Sequence, residues 1–218
     1  MNDDYWVGLA GETDRVFKAL PAVKDHRSNH PWAIGAHGNP FAGIWFVAEN
    51  PSLTQVERVH DPDGEPPTIE AQWWSSRGDQ LLRQMLVKYG FKTGSIDSPG
   101  GWKCYITNVI KEADYTRDWR DKTQVARNQV AETWSGLLAW ELTNSKPRLV
   151  VIMGKQTELL IKHLVSMRRI KLPRVEQITH YAYIGQRAQG KLGPMHPQRI
   201  FEYDKEFARI RKIFDSIS

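Results

Sequence analysis

A short apolar run that ends abruptly in polar turn residues most constrains the fold of this chain. Residues 43–52 read Gly-Ile-Trp-Phe-Val-Ala-Glu-Asn-Pro-Ser. A short apolar run bounded by turn residues is typical of a buried parallel strand, and ligands of open α/β sheets bind just beyond the carboxyl ends of such strands. The run therefore predicts a strand at residues 44–48 that delivers Glu49 and Asn50 to the usual position of an active site. Taken alone, Asn50-Pro51 is equally typical of a simple turn.

The rest of the chain alternates strand patterns with helix patterns. Further strands are predicted at residues 103–109, 148–153 and, from a weaker pattern, 175–181. Helices are predicted at residues 12–20, 77–89, 122–142, 156–165 and 202–217, and loops at 25–40 and 51–72. Strands alternating with helices imply a parallel sheet covered on both faces. We therefore predict a single α/β domain over residues 1–218, a three-layer α/β/α sandwich with a central, mostly parallel four-stranded sheet.

Composition narrows the classes of function. The formal net charge of +5 and the nine tryptophans are compatible with a polyanionic partner and with aromatic stacking surfaces. On charge alone, an ordinary solvated surface is the better interpretation. The single cysteine, Cys104, excludes an internal disulfide framework and a cysteine-based zinc or iron–sulfur site, and it suits a reducing compartment.

The chain shows neither a signal-peptide pattern at its N-terminus nor an apolar run of transmembrane length. We therefore expect a cytoplasmic protein that does not act in a membrane. His26, His30 and His37 are close in sequence, but the surrounding Pro, Gly and Asn favour a loop, and no acidic or cysteine ligand completes a metal set. No metal site is predicted. Residues 154–157 lack the full phosphate-loop pattern, and no Gly-x-Ser-x-Gly segment supports a serine hydrolase.

Three more segments join the first one in a consistent order along the chain. Residues 73–82 read Trp-Trp-Ser-Ser-Arg-Gly-Asp-Gln-Leu-Leu, and residues 106–111 read Ile-Thr-Asn-Val-Ile-Lys at the end of the second predicted strand. Residues 193–199 read Gly-Pro-Met-His-Pro-Gln-Arg. Each segment is weakly specific alone, but the ordered set is more specific.

This ordered set resembles the uracil-DNA glycosylase superfamily over residues 43–217. Residues 48–52 resemble the water-activating motif at the end of the family's first core strand, and residues 106–111 resemble the Thr-Asn-Val-Val-Lys segment of its iron–sulfur members. Residues 195–198 resemble the His-Pro-Ser-like loop. Residues 74–82 and 148–154 resemble two other shared segments. The iron–sulfur members need four cysteines, so the resemblance implies a member without the cluster and without any other cofactor.

The resemblance and the chemistry of base release together assign roles to four residues. Asn50 suits the orientation of a water, because its amide does not titrate, and Glu49 is a general base if it faces the pocket. Asn108 suits reading of a flipped base, because one amide supplies both a donor and an acceptor. His196 suits stabilisation of the leaving base as it becomes an anion. The structural alternatives are an ion pair for Glu49, a strand-end turn for Asn108 and an exposed turn for His196.

Substrate and DNA contacts are assigned to the neighbouring loops. Trp74, with Trp73 as the second choice, is the candidate for stacking on the flipped base, and Ser52 closes the first motif as a substrate contact. Gln198 and Arg199 lie in the loop that would probe the duplex. Basic residues near the inferred strand ends could neutralise phosphates, namely Lys111, Arg117, Arg120, Lys122, Arg187 and Lys191. Individually, each of these is as well explained by solvation, and each tryptophan by the core.

The sequence therefore predicts a monofunctional DNA glycosylase of base excision repair that flips uracil or a related deaminated base out of DNA. It would hydrolyse the N-glycosidic bond and leave an abasic site, acting as a monomer on single- or double-stranded DNA. The main alternative is a non-catalytic nucleic-acid-binding module on the same fold. A third possibility is an enzyme of free nucleosides or small ligands, which would show little salt-dependent affinity for DNA.

Overall fold

The computed structural model describes residues 2–20, 36–53, 76–96, 98, 100–185 and 192–217. In chain order its elements are α1 (Asn2–Ala19), β1 (His37–Gly38), β2 (Ile44–Ala48), α2 (Arg77–Lys88), β3 (Tyr105–Asn108), α3 (Thr116–Asp121), α4 (Gln124–Ser145), β4 (Leu149–Met153), α5 (Lys155–Ser166), β5 (Arg174–Ile178), α6 (Tyr181–Gly185) and α7 (Pro197–Ser216). Within these ranges, no helix combines the length and the apolar character that crossing a membrane requires.

The strands form one sheet in the order β1-β3-β2-β4-β5. Strands β2 to β5 are parallel, and β1 pairs antiparallel with β3 at one edge. Ala48 lies opposite Asn108, so that β2 and β3 end at the same level in the middle of the sheet. This register brings the two predicted strand-end motifs side by side.

Successive side chains of β2 and β3 pack on opposite faces of the sheet, as expected for a pleated strand. Trp45, Val47 and Tyr105 pack with residues of α1, α4 and α5, on what we call the α4 face. Ile44, Phe46, Ala48 and Ile106 pack with residues of α2, α6 and α7, on what we call the α7 face. Because every residue of β2 and of β4 is buried, both faces need a helical layer. The predicted three-layer α/β/α fold is confirmed.

Helix α7 is held on the sheet by aromatic packing. Phe207 is fully buried and stacks on Phe46 with 5.6 Å between ring centroids, and Tyr203 meets Phe207 edge-on at 5.1 Å. Burying such a side chain contributes about 1.5–3 kcal/mol. This packing fixes the start of α7, which carries the late His-Pro motif.

The structure corrects several predicted boundaries. The sheet has a fifth strand, β1, because two residues are too few to produce a periodic pattern. Helix α1 begins at Asn2 instead of residue 12, since Gly8 is tolerated where the helix packs closely on Trp140. The short helices α3 and α6 fall where no helix is predicted, and α6 begins at Tyr181, the last residue of a predicted strand. Helix α7 begins at Pro197 instead of residue 202, directly after His196.

Candidate active site

The segments that follow β2 and β3 stay paired beyond the sheet. Val109 N–H donates to Ala48 O and Ile110 N–H donates to Glu49 O, each at 3.0 Å. Further out, Ser52 forms an isolated parallel bridge with Asp114. The first motif is therefore fixed by its backbone against the turn that follows Asn108. Ser52 is half-buried there, and its assignment as a substrate contact stays a prediction.

Asn50 is anchored by one end of its amide. Its Nδ2 donates to the carbonyl oxygen of Pro51 at 3.3 Å, and the side chain is half-buried. No described residue donates a hydrogen bond to Oδ1. An amide oxygen that is held in place and open at the edge of the sheet can accept a hydrogen bond from a water molecule.

Glu49 points away from the α7 face. Its carboxylate lies beside Trp119, which packs in the core of the α4 face, and beside Arg127 of α4, and burial raises its pKa more than these neighbours lower it. Among the described residues, Glu49 Oε1 is buried without a hydrogen-bond partner. Glu49 would act as a general base only if it faced the pocket. Its position among Trp119 and Arg127 favours the structural alternative.

Asn108 ends β3 on the α7 face. It is 6% exposed and follows Ile106 in the alternation of the strand, so it shares a face with Ala48 across the pair. An asparagine buried at the level where the central strands end is suited to recognise the polar edge of a ligand that binds beyond these strand ends.

Behind Asn108, on the α4 face, lies a closed polar network. Lys111 Nζ lies 2.7 Å from Glu141 Oε2, and both side chains have no exposed surface. Tyr105 and Thr107 donate to Glu141 Oε1 at 2.8 and 2.9 Å, and Lys111 also donates to Thr107 Oγ1. Burial lowers the pKa of Lys111, although Glu141 opposes this effect. The predicted contact of Lys111 with DNA stays a prediction, and the enclosed ammonium group favours a structural role instead.

His196 is the N-cap of α7. Its Nδ1 accepts a hydrogen bond from Gln198 N–H at 3.2 Å, and the side chain is half-buried. An Nδ1 that accepts a hydrogen bond carries no proton, so the neutral ring has its N–H at Nε2. The preceding Met195 has φ = 53°, a left-handed conformation that is uncommon for a bulky side chain, and such conformations cluster at functional sites.

A family model described as the uracil DNA glycosylase superfamily matches residues 36–216. The chain belongs to the uracil DNA glycosylase superfamily. The matched region includes every element from β1 to α7, and it therefore contains the two strand ends and the start of α7. No curated protein matches the chain as a relative. Superfamily membership supports DNA as a partner and a glycosidase activity of base excision repair at the level of the family.

The remaining predicted contacts of this superfamily member divide into three groups. Gln198 is exposed and stays a prediction. Arg199 is buried, and its guanidinium donates to the carbonyl oxygens of Gly193 and Tyr183, which favours a structural role over the predicted contact with DNA. The others lie outside the described residues, namely Trp73, Trp74, Arg187 and Lys191. His26 and His30, for which no metal site is predicted, also lie outside them.

Helix α2 begins close to the candidate active site because two glycines allow it to pack tightly against α6. A Cβ on Gly78 would lie 2.7 Å from Tyr181 O, and a Cβ on Gly185 would lie 2.7 Å from Gly78 N. Ser76 caps α2 by accepting a hydrogen bond from Asp79 N–H at 3.1 Å. The start of α2 and the whole of α6 are thus packed together at the edge that carries His196.

Two residues that shape the site were not predicted from the sequence. Glu141 lies towards the C-terminal end of α4, where an acidic residue normally indicates a solvated face, and Tyr183 lies just after a predicted strand. Three other basic residues were predicted to contact phosphates. Arg117 and Arg120 are exposed, and the half-buried Lys122 pairs with Asp114 at 2.9 Å. Among the described residues, no three His, Cys, Asp or Glu side chains are grouped as a metal site would require.

Proposed function

We propose that this protein is a monofunctional DNA glycosylase that hydrolyses the N-glycosidic bond of uracil or a related deaminated base and leaves an abasic site. The observation that carries the proposal is the way in which two polar side chains are held. Asn50 and His196 each bond to the backbone through one atom, which leaves the second polar atom of each for other partners. This is the arrangement expected of preorganised groups in a catalytic site.

Asn50 supports the hydrolytic half of the reaction. Release of the base builds positive charge on the sugar, and such a carbon needs an oriented water more than a strong base. Asn50 Oδ1 can accept a hydrogen bond from that water while Nδ2 stays on Pro51 O. The orientation does not depend on pH, since the amide has no titratable proton.

His196 supports departure of the base. Its Nε2–H can donate to the oxygen on which negative charge develops, and a preorganised donor of this kind contributes about 2–4 kcal/mol. The same residue caps a helix of 20 residues, whose N-terminus favours negative charge. Both effects act on the leaving group and increase as the charge develops.

Asn108 supports selection of the base. Its amide offers one donor and one acceptor, which match the O4 and N3–H of uracil. A base must leave the DNA stack to reach this buried position at the end of β3, and enzymes that act on bases read flipped bases on that edge.

The lysine next to the site supports hydrolysis without strand cleavage. A glycosylase that also cleaves the strand uses an amine as the nucleophile, and the amine must be free to attack the sugar. Lys111 is fully buried and paired with Glu141, so its amine is not presented to a substrate. We therefore assign the attack to water.

Base release from labelled DNA tests the proposal. The substrates carry one uracil in a single strand, opposite guanine or opposite adenine, and alkali then cleaves the abasic sites. We expect the wild type to release the base, with nicks only after alkali, and Asn50→Ala to be at least about 100-fold slower. Asn144→Ala, on the surface of α4, is the matched control.

The outcomes separate this proposal from its alternatives. If the wild type releases neither uracil nor hypoxanthine nor xanthine, although a known glycosylase does so in parallel, the proposed activity is wrong. Salt-dependent DNA binding without release would then indicate the non-catalytic binding module. Nicking without alkali would contradict the monofunctional assignment.

A further inference from the structure

An aromatic ring stands exposed beside the start of α7. Tyr183 is 59% exposed, although its neighbours Ile184 and Tyr181 pack into the core of the α7 face. One face of the ring is covered by Arg199, whose guanidinium carbon lies 4.3 Å from the ring centroid. The exposed area of Tyr183 is therefore a ring surface with a cation behind it.

The ring is held in one orientation. Arg199 donates to the carbonyl oxygens of Tyr183 and Gly193, so the same guanidinium that covers the ring also binds the backbone of its residue. Tyr183 N–H donates to His180 O at 3.0 Å, and the helix of Tyr183 packs tightly on α2 through Gly78 and Gly185. An ordered surface ring loses little conformational entropy when it stacks on a partner.

The ring also lies next to the proposed catalytic histidine. Met195 N–H donates to Ile184 O at 2.9 Å, and Arg199 N–H donates to His196 O at 2.9 Å. Backbone hydrogen bonds thus join the residue after Tyr183 to the residue before His196. Tyr183 lies at the same end of the parallel strands as the site, because α6 directly follows the carboxyl end of β5.

We propose that Tyr183 is a stacking platform for an unpaired base of single-stranded DNA, adjacent to the nucleotide that enters the site. This inference rests on the proposed function and adds a preference for single strands. An aromatic ring binds the face of any base, so the contact needs no particular sequence, but both faces of a base inside a duplex are already covered by stacked neighbours. The Arg199 guanidinium on the opposite face of the ring serves as its support.

The test compares two DNA ligands that cannot be cleaved, at one salt concentration. Each is a labelled oligonucleotide with a stable abasic-site analogue, one as a single strand and one as a duplex, and binding is measured by fluorescence anisotropy. We expect Tyr183→Ala to weaken single-strand binding about tenfold or more and duplex binding less than twofold. Tyr183→Trp should bind as well as the wild type.

Two further variants separate stacking from other effects. Tyr183→Leu keeps apolar bulk but has no ring, so it should behave like Tyr183→Ala. Phe41→Ala is the matched control, because Phe41 is also partly exposed but precedes β2, at the opposite end of the strands. We expect Phe41→Ala to bind the single strand like the wild type, with thermal unfolding confirming that each variant is folded.

The results distinguish this proposal from the proposed function. Wild-type affinity of Tyr183→Ala for the single strand, equal losses on both ligands, or wild-type binding by Tyr183→Leu would each overturn the platform, whether or not the enzyme releases uracil. A selective loss in Tyr183→Ala supports the platform even if no base is released, and in that case only the catalytic proposal fails.

Discussion

The two faces of the sheet differ in their polar groups at the carboxyl ends of β2 and β3. On the α4 face, Lys111, Glu141, Thr107 and Tyr105 bond to one another in a buried network. On the α7 side, His196 caps a helix with one ring nitrogen and keeps the other for a further partner. The polar groups of the α4 face are thus paired with one another, whereas His196 on the α7 side uses only one of its two ring nitrogens.

This difference teaches how a strand end can serve stability and chemistry at once. Asn108 and Thr107 are neighbours in β3, yet the alternation of the strand sends one to each face. The buried network holds the turn after β3 on the α4 face, while His196 on the α7 side keeps Nε2 for a ligand. Variants on the α4 face should therefore change mainly stability, and variants on the α7 side mainly activity.

The largest effect is expected for Lys111→Met. Removing one partner leaves the Glu141 carboxylate buried without its counter-ion, which costs about 3–5 kcal/mol. Urea unfolding should show this loss, and the double variant Lys111→Met with Glu141→Gln should recover most of it, because the amide oxygen still accepts from Tyr105 and Thr107. As a control, Lys155→Met removes an exposed pair and should cost less than about 1 kcal/mol. Equal losses for both lysines would show that the buried pair has no special role.

The next largest effect is expected for His196→Asn, which separates capping from catalysis. Asparagine is a good N-cap, so stability should change little, whereas loss of the ring N–H should slow base release about 30- to 1000-fold. Single-turnover kinetics with the uracil substrate measure this effect. If His196→Asn released base at the wild-type rate, capping would be the whole role of the residue.

A smaller effect is expected for a matched pair of helix caps. Ser76 caps α2 beside the site, and Thr123 caps α4 by accepting from Ala126 N–H at 3.2 Å. Each change to alanine should cost about 1 kcal/mol of unfolding free energy. We expect only Ser76→Ala to reduce base release as well, by a few-fold, because α2 supports α6. Equal activities in the two variants would argue against this mechanical link.

The smallest effect is expected for Glu49→Gln and depends on pH. Burial raises the pKa of Glu49 in the folded state, so the native protein binds this proton more tightly than the unfolded chain does. The wild type should therefore lose stability relative to Glu49→Gln as pH rises from about 4.5 through the raised pKa, as urea unfolding between pH 4 and 7 would show. Glu202→Gln, on the exposed surface, is the control. A collapse of base release in Glu49→Gln, with the fold intact, would instead establish a general base.

The sequence predicted well what depends on local pattern. The apolar runs of β2 and β4 and the order of strands and helices were enough for the three-layer fold. The polar ends of β2 and β3 lie side by side, and the roles of Asn50 and Asn108 there stay predictions. It predicted poorly what depends on distant partners. The pairing of Lys111 could not be predicted, because its partner, Glu141, is 30 residues away on a helix whose pattern does not indicate a buried acid. The contacts of Arg199 could not be predicted either, since no sequence pattern indicates which backbone carbonyl groups will bind a guanidinium.

The level register of β2 and β3 also has a consequence for how this site could diverge. Since Ala48 faces Asn108, a single inserted or deleted residue in either strand would exchange the faces to which the terminal side chains belong. A one-residue change in β2 would move Glu49 and Asn50 to opposite faces. A one-residue change in β3 would move Thr107 out of the buried network on the α4 face. Over evolutionary time, substitutions at the tips of these strands can vary the chemistry, while changes in strand length are barred. We therefore expect relatives of this protein to differ in the identity of the residues at these strand ends and to keep the lengths of the two strands.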